Sequence, residues 1–283
     1  MEKLLDEIES YWSTRTEGYS EVNHKELAGT QKNAWLKVLT SQFPDKPKEE
    51  IRILDIGTGP GFFPVILAEA GYHVDAVDYT EGMLEKAKEN AGELCRNIHF
   101  QRMDAQKLEF EDNTFDVVIS RNLTWNLEHP DVAYREWVRV LKVGGKLLNF
   151  DANWYGYLYE EEQRKAYEND RKNVESNSLD DHYLCTDIER MERIALQVPL
   201  SKIRRPEWDV KTLREAGLLG IHTDTEIWKT VWSEEERLNY QSTPMFMVTG
   251  VKPDHFLNLP VVEGEKTEGF LEIGDGEFTL PAT

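Results

Sequence analysis

The sequence predicts a doubly wound α/β fold: a mostly parallel seven-stranded sheet with an antiparallel hairpin at its end, a helical cap before it and a helical insertion after strand five. Three observations predict it. Between residues 51 and 151, short β-rich apolar runs alternate with segments of helical periodicity, the pattern of parallel strands joined by crossover helices. The first of those runs ends in a glycine series that opens a helix. Beyond residue 150 the alternation gives way to a polar, tyrosine-rich helical stretch, and two-residue alternation returns only near the C-terminus.

Taken in order, the first 42 residues read as two amphipathic helices, around 3–13 and 25–40, with Tyr11, Trp12 and Tyr19 near the break. Residues 51–56 read as the first strand, the glycine turn follows, and 62–70 form a helix that Gly71 stops. Residues 73–78 are the second strand, and Thr80 is the expected cap of a helix through Met83, Leu84 and Ala87. Strands three and four fall at 98–103 and 115–120. A helix over 131–141, closed by Val143-Gly144-Gly145, leads to strand five at 146–150. The insertion is expected to be helical near 159–174 and 186–195, followed by a helix at 209–216 and strand-like runs at 221–232 and 245–251. The expected organisation is a helical cap (1–45), a core (46–152), a lid (153–206), the rest of the core (207–252) and an acidic tail (253–283).

The chain has 283 residues, 40% of them hydrophobic, enough to bury a full core. Its apolar runs are shorter than the roughly 20 residues that span a bilayer, and its acidic start does not resemble a signal peptide, so the expected location is cytoplasmic, with no membrane. Cys95 and Cys185 lie far apart and are expected to be free, buried thiols. Against 33 Lys and Arg stand 53 Asp and Glu; the net charge of −20 repels a phosphate backbone, so no nucleic acid is the expected partner. Arg204-Arg205 is the one visible basic seed and reads as a loop pair before Pro206. His182, Cys185 and Asp187 have no second cluster in ligand spacing, so no metal is expected.

The turn Asp55-Ile56-Gly57-Thr58-Gly59-Pro60-Gly61 lets backbone approach a ligand, a device also used by dinucleotide dehydrogenases. Two details argue against a pyrophosphate: the carboxylate of Asp55 would repel it, and Pro60 removes a donor from the turn. S-adenosylmethionine, with its ammonium, carboxylate and sulfonium, fits better. Asp78, at the end of the second strand, suits ribose hydroxyls; Met83 either packs on the adenine or belongs to the core; Asp104 suits the adenine amino group. Three carboxylates thus fall at three successive strand ends.

With these residues the chain resembles the class I methyltransferases, in particular the group that includes the ubiquinone/menaquinone-type enzymes and many small-molecule methyltransferases. Leu54 to Gly61 is similar to motif I, Val77-Asp78 to the acidic end of strand two, Met103-Asp104-Ala105 to the adenine-contacting motif, and Phe115 to Ser120 to strand four. Arg135 to Gly145 is similar to the helix and turn before strand five, with Val143 replacing the usual proline. The likeness covers about residues 50–152. It implies a Rossmann-like fold, S-adenosylmethionine as cofactor and S-adenosylhomocysteine as product, with the first 45 residues and the insertion covering the acceptor pocket.

The cofactor set expected on this basis is Tyr11, Tyr19, Asp55, Gly57, Thr58, Gly59, Gly61, Asp78, Tyr79, Met83, Asp104, Ala105, Arg121 and Asn122. Arg121, Asn122, Asp151 and Tyr155 are the catalytic candidates, and Trp12, Trp125, Asn153, Trp154 and Tyr155 are expected to meet the acceptor. His129 is favoured as a turn residue and His182 as a solvated one, each with base chemistry as the alternative. The aromatics, including Tyr157 and Tyr159, either form a cage for an apolar, aromatic or cationic acceptor or pack the lids. The functional expectation is in-line methyl transfer to a small molecule by a monomer or homodimer. Protein or tRNA methylation, NAD-dependent oxidoreduction and non-catalytic S-adenosylmethionine binding are the alternatives.

Overall fold

Strand β1 (Arg52–Ile56) is apolar along its buried length except at Asp55 because it lies at the centre of a seven-stranded sheet covered on both faces. The computed structural model describes residues 3–183 and 186–254. The other strands are β2 (His73–Asp78), β3 (Ile98–Arg102), β4 (Phe115–Arg121), β5 (Leu141–Asp151), β6 (Leu219–Asp224) and β7 (Phe246–Val251), in the order β3-β2-β1-β4-β5-β7-β6. The first five run parallel, and β7 is antiparallel to both β5 and β6. The order reverses between β1 and β4, so the crevice for a ligand opens at their carboxyl ends.

Crossover helices α3 (Phe62–Glu69), α4 (Glu81–Ala91) and α5 (Pro130–Val140) connect these strands. One face of the sheet packs Leu54, Ile56 and Val118 on Tyr134 and Trp137 of α5 and on Leu213 of α8 (Glu207–Glu215). The opposite face packs Ile53, Ile119 and Phe150 on Phe63 and Ile66 of α3 and on Trp35 of α2 (Gln31–Thr40). A third cluster, with Tyr11, Trp125, Tyr155, Tyr157, Met191 and Ile194, lies beneath α6 (Glu161–Ser176) and α7 (Ile188–Ala195), the helices of the insertion.

Several elements depart from the sequence reading. The two N-terminal helices expected with a break near Tyr19 are one 25-residue helix, α1 (Leu4–Ala28), and the break falls at Gly29-Thr30. Nothing between Tyr11 and Tyr19 removes a backbone donor, so the helix runs on until the glycine. The Val143-Gly144-Gly145 turn is an irregular start of β5, with Gly144 at φ +77°. The run 221–232 splits into β6 and a short helix α9 (Trp228–Val231), and α10 (Glu234–Asn239) follows before β7. β6 and β7 therefore pair antiparallel across a helical connection rather than a tight hairpin. Thr80 occupies the N-cap of α4, yet its side chain makes no cap bond; the Asp78 carboxylate accepts the Thr80 N–H at 2.9 Å instead. Cys95, expected to be buried, is a half-buried free thiol 3.4 Å from the Lys88 carbonyl. Cys185 and residues 255–283 of the acidic tail lie outside the described residues.

Candidate active site

The glycine turn is shaped by three left-handed residues, with Gly57 at φ +70°, Gly59 at φ +53° and Gly61 at φ +90°. Two of them answer to different neighbours. A Cβ on Gly57 would meet Leu123 Cδ2 at 2.7 Å on the cleft wall, whereas one on Gly61 would meet the Ala87 Cβ of α4 at 3.0 Å. Gly57 thus allows the strand ends to close around the cleft, and Gly61 lets α3 pack against α4. The N–H groups of Gly57 and Thr58 are both donated to the Val77 carbonyl, at 2.8 and 3.0 Å. The Gly59 N–H is donated to Asp78 Oδ2 at 2.9 Å. Asp78 therefore clamps the turn with one oxygen and the start of α4 with the other. Burial raises its pKa, and the Thr80 and Gly59 N–H groups work in the opposite direction.

A cleft of about 100 Å³ opens over this turn. From the expected cofactor set, Tyr19, Gly57, Gly59, Asp78, Tyr79, Met83, Asp104, Ala105, Arg121 and Asn122 line it. Asp55, Thr58 and Gly61 lie behind the surface. Asp55 is buried, which pushes its pKa up to about 7 against the pull of the nearby Thr58 hydroxyl and the Arg121 charge. Tyr11 stands on the other side of α1, away from this cleft.

A second, larger cavity of about 570 Å³ lies between α1, the insertion and the segment 232–245. Trp12, Trp125, Trp154 and Tyr155, expected to meet the acceptor, line it together with Tyr11. Tyr183, Trp232 and Tyr240 add aromatic wall that the sequence reading missed, because Trp232 sits in a run read as strand and Tyr240 in a segment given no element. Trp12, Tyr19, Arg121 and Asn122 line both spaces, so the two meet at one wall.

That wall is held by a pairing the sequence reading did not find. The Arg121 guanidinium at the end of β4 donates to both carboxylate oxygens of Glu26 on α1, at 2.7 and 3.1 Å, and lies over the Phe62 ring with its Cζ 4.7 Å from the centroid. Burial opposes the Arg121 charge, but Glu26 outweighs it and keeps the pKa above the ordinary arginine value. Next to it, Asn122 adopts φ +56° and its buried Oδ1 has no hydrogen-bond partner, as is true of the buried Asn126 Oδ1 in the smaller cleft. Buried acceptors without donors are rare, and both suit a ligand bearing an ammonium and hydroxyls.

Asp151 and Asn153 also lie outside both spaces. Asp151, a catalytic candidate, is fully buried in an ionic network. Its Oδ2 accepts from Arg205 Nη1 at 2.7 Å and from the Trp125 N–H at 2.9 Å, and its Oδ1 accepts from Trp154 Nε1 at 3.1 Å. Arg205 also binds both oxygens of Asp209. With these donors in place Asp151 orients two walls of the cavity instead of receiving a proton. Asn153 is likewise occupied, exchanging hydrogen bonds with the backbone of Arg205. Arg205, read as a loop basic residue, is thus an interior cation. His129 is the N-cap residue of α5 and lines neither space.

Residues 54–149 match the family model described as a methyltransferase domain. Within those bounds the chain carries a methyltransferase domain. It is similar to the demethylmenaquinone methyltransferase of Clavibacter sepedonicus, 39% identical over 97 residues that make up 34% of this chain and 39% of the relative. It is also similar to the ubiquinone biosynthesis O-methyltransferase of Coxiella burnetii, 30% identical over 126 residues, or 44% of this chain and 53% of the relative. The chain spans about half the length, or less, of these curated relatives. The fold is shared with phosphoethanolamine N-methyltransferase 2 of Haemonchus contortus bound to S-adenosylmethionine, with TM-score 0.57 and 20% identity over 78% of this chain and 52% of that one. The helices around the larger cavity fall mostly outside residues 54–149. Among the described residues no helix is long and apolar enough to cross a membrane, and no group of His, Cys, Asp and Glu is arranged to hold a metal.

Proposed function

We propose that the chain transfers a methyl group from S-adenosylmethionine, held in the smaller cleft, to a small acceptor with an aromatic ring, held in the larger cavity. The observation that carries this reading is the wall of Trp12, Tyr19, Arg121 and Asn122 common to both spaces. In-line displacement requires the methyl carbon and the nucleophile to face each other across a single short gap.

On this reading Asp78 accepts from the ribose hydroxyls with lone pairs left over from Gly59 and Thr80. Asp104 and Ala105 meet the adenine, and Asn122 Oδ1 receives the ammonium. When bound, the cofactor supplies a methyl carbon whose bond to sulfur breaks, the electron pair staying on sulfur, as the acceptor's lone pair forms the new bond. Trp125, Trp154 and Tyr155 stack on the acceptor and exclude water. The aromatic lining and the names of the two relatives support an aromatic small molecule.

Titration calorimetry with S-adenosylhomocysteine tests the cofactor half. One site per chain is expected, weakened by Asp78→Ala by at least about tenfold, or roughly 1.4 kcal/mol. Absence of binding to the unaltered protein refutes the reading.

A further inference from the structure

The methyl-transfer reading leaves open which group takes a proton from the acceptor. Asp151 is consumed by Arg205, and Glu236, which lines the cavity, is consumed by its own helix. Its Oε2 accepts from Gln31 Nε2 at 2.6 Å and from the Ser233 N–H at 2.7 Å, closing the capping box of α10. The next residue back on α10, Glu235, faces another way. Its Oε1 lies 2.9 Å from His182 Nε2, and His182 Nδ1 lies 2.9 Å from the Tyr240 hydroxyl. His182 and Tyr240 both line the aromatic cavity.

The hydrogens in this series are set by the ends. A carboxylate only accepts, so His182 Nε2 carries the hydrogen and gives it to Glu235; Nδ1 is left to accept from the Tyr240 hydroxyl. The Tyr240 oxygen keeps lone pairs for a hydroxyl in the cavity. The geometry of the series is fixed on both sides. The His182 backbone N–H is donated to Asn239 Oδ1 at 3.0 Å, and the Tyr240 ring packs between Trp154, Trp232 and Tyr183 at 5.2, 5.6 and 5.9 Å. The charged groups facing it are Glu235 and Glu236 from α10 and the Asp181–Arg171 pair beside the loop and α6. The series also leads outward: the side chains of His182 and Glu235 are 20% and 36% exposed, giving a proton a way to solvent.

We infer that His182, held by Glu235 and reached through the Tyr240 hydroxyl, is the general base of the reaction, and that the acceptor is a hydroxylated aromatic ring. This rests on the methyl-transfer reading and names the acceptor class. The ring hydroxyl gives its proton to the Tyr240 oxygen while the Tyr240 proton passes to His182 Nδ1. The imidazolium so formed is held by the Glu235 carboxylate, and the pair of electrons left on the ring oxygen attacks the methyl carbon. Tyr240 touches the acceptor and relays the proton, and His182 and Glu235 act through it.

The test uses the full chain saturated with S-adenosylhomocysteine and 4-nitrophenol as the probe, whose ionised form has its own visible absorption. In the unaltered protein the bound probe is expected to ionise at a pH about one unit lower than in buffer. Tyr240→Phe and His182→Gln are expected to abolish that shift, and Glu235→Gln to reduce it. Failure of the probe to bind, binding as the neutral phenol, or an equal shift in the unaltered protein and Tyr240→Phe overturns the inference. Should His182→Gln fail to fold, Tyr240→Phe and Glu235→Gln carry the comparison. Calorimetry with S-adenosylhomocysteine on the same samples separates the two readings. Cofactor binding without ionisation of the probe refutes the base alone, and loss of cofactor binding in the unaltered protein refutes methyl transfer.

Discussion

Asp55 and Asp78 occupy the ends of neighbouring strands, yet the structure gives them opposite tasks. Asp78 faces the cleft and ties the turn to α4, while Asp55 sits behind the turn in an environment that favours its neutral form. Unfolding restores Asp55 from about 7 to its ordinary 3.8, so between those two values the folded state holds a proton that the unfolded chain has released. Stability from this residue is therefore lost as pH rises through that window. Asp55→Asn is expected to flatten the decline and to raise stability above pH 7 by a few kcal/mol, roughly 2–4, read from urea unfolding at several pH values. The carboxylates and glycines of the cleft were legible in the sequence because each lies next to a strand end, and strand ends follow from local apolar patterning. Glu26 and Tyr240 were not. Glu26 reaches Arg121 across 95 residues, and the Tyr240 partner His182 is 58 residues away; neither partnership leaves a trace in local periodicity.

Among the elements, α1 changes most between sequence and structure. Its break was expected where its aromatics cluster; in the continuous helix Trp12 and Tyr19, two turns apart, reach both spaces, while Glu26 anchors its far end to β4. Glu26→Ala would leave the Arg121 guanidinium buried without its carboxylate, and a loss of about 3 kcal/mol or more is expected from chemical denaturation, with faster amide exchange confined to α1. The junction of β5, the insertion and α8 depends on another interior cation. Arg205→Met strands Asp151 and Asp209 as buried charges, so a comparable loss, on the order of 3–5 kcal/mol, is expected, together with altered tryptophan fluorescence from Trp125 and Trp154. The sequence reading put Arg205 on the surface because Arg204 beside it and Pro206 after it read as a loop; its two acids lie 54 residues before and 4 after.

At the level of the whole molecule, the parallel sheet and its crevice were legible because strand and helix periods differ, and a right-handed crossover leaves few ways to arrange them. The connection between β6 and β7 was not, since Trp228 and Val231 are apolar enough to read as strand, yet they form a short helix packed against α2. The net charge of −20 belongs to this scale as well. An electrophoretic shift assay with tRNA at physiological salt is expected to show no retained complex, and retention there would favour a nucleic-acid acceptor over the ring proposed above.

Two rooms under one roof beam share a fate. Because α1 contributes side chains to both spaces, any shift of that helix alters both at once. Turnover is then expected to be paced by movement of that beam rather than by the chemical step. The rate should fall in proportion to solvent viscosity and should lose that dependence when Glu26 no longer pins the beam.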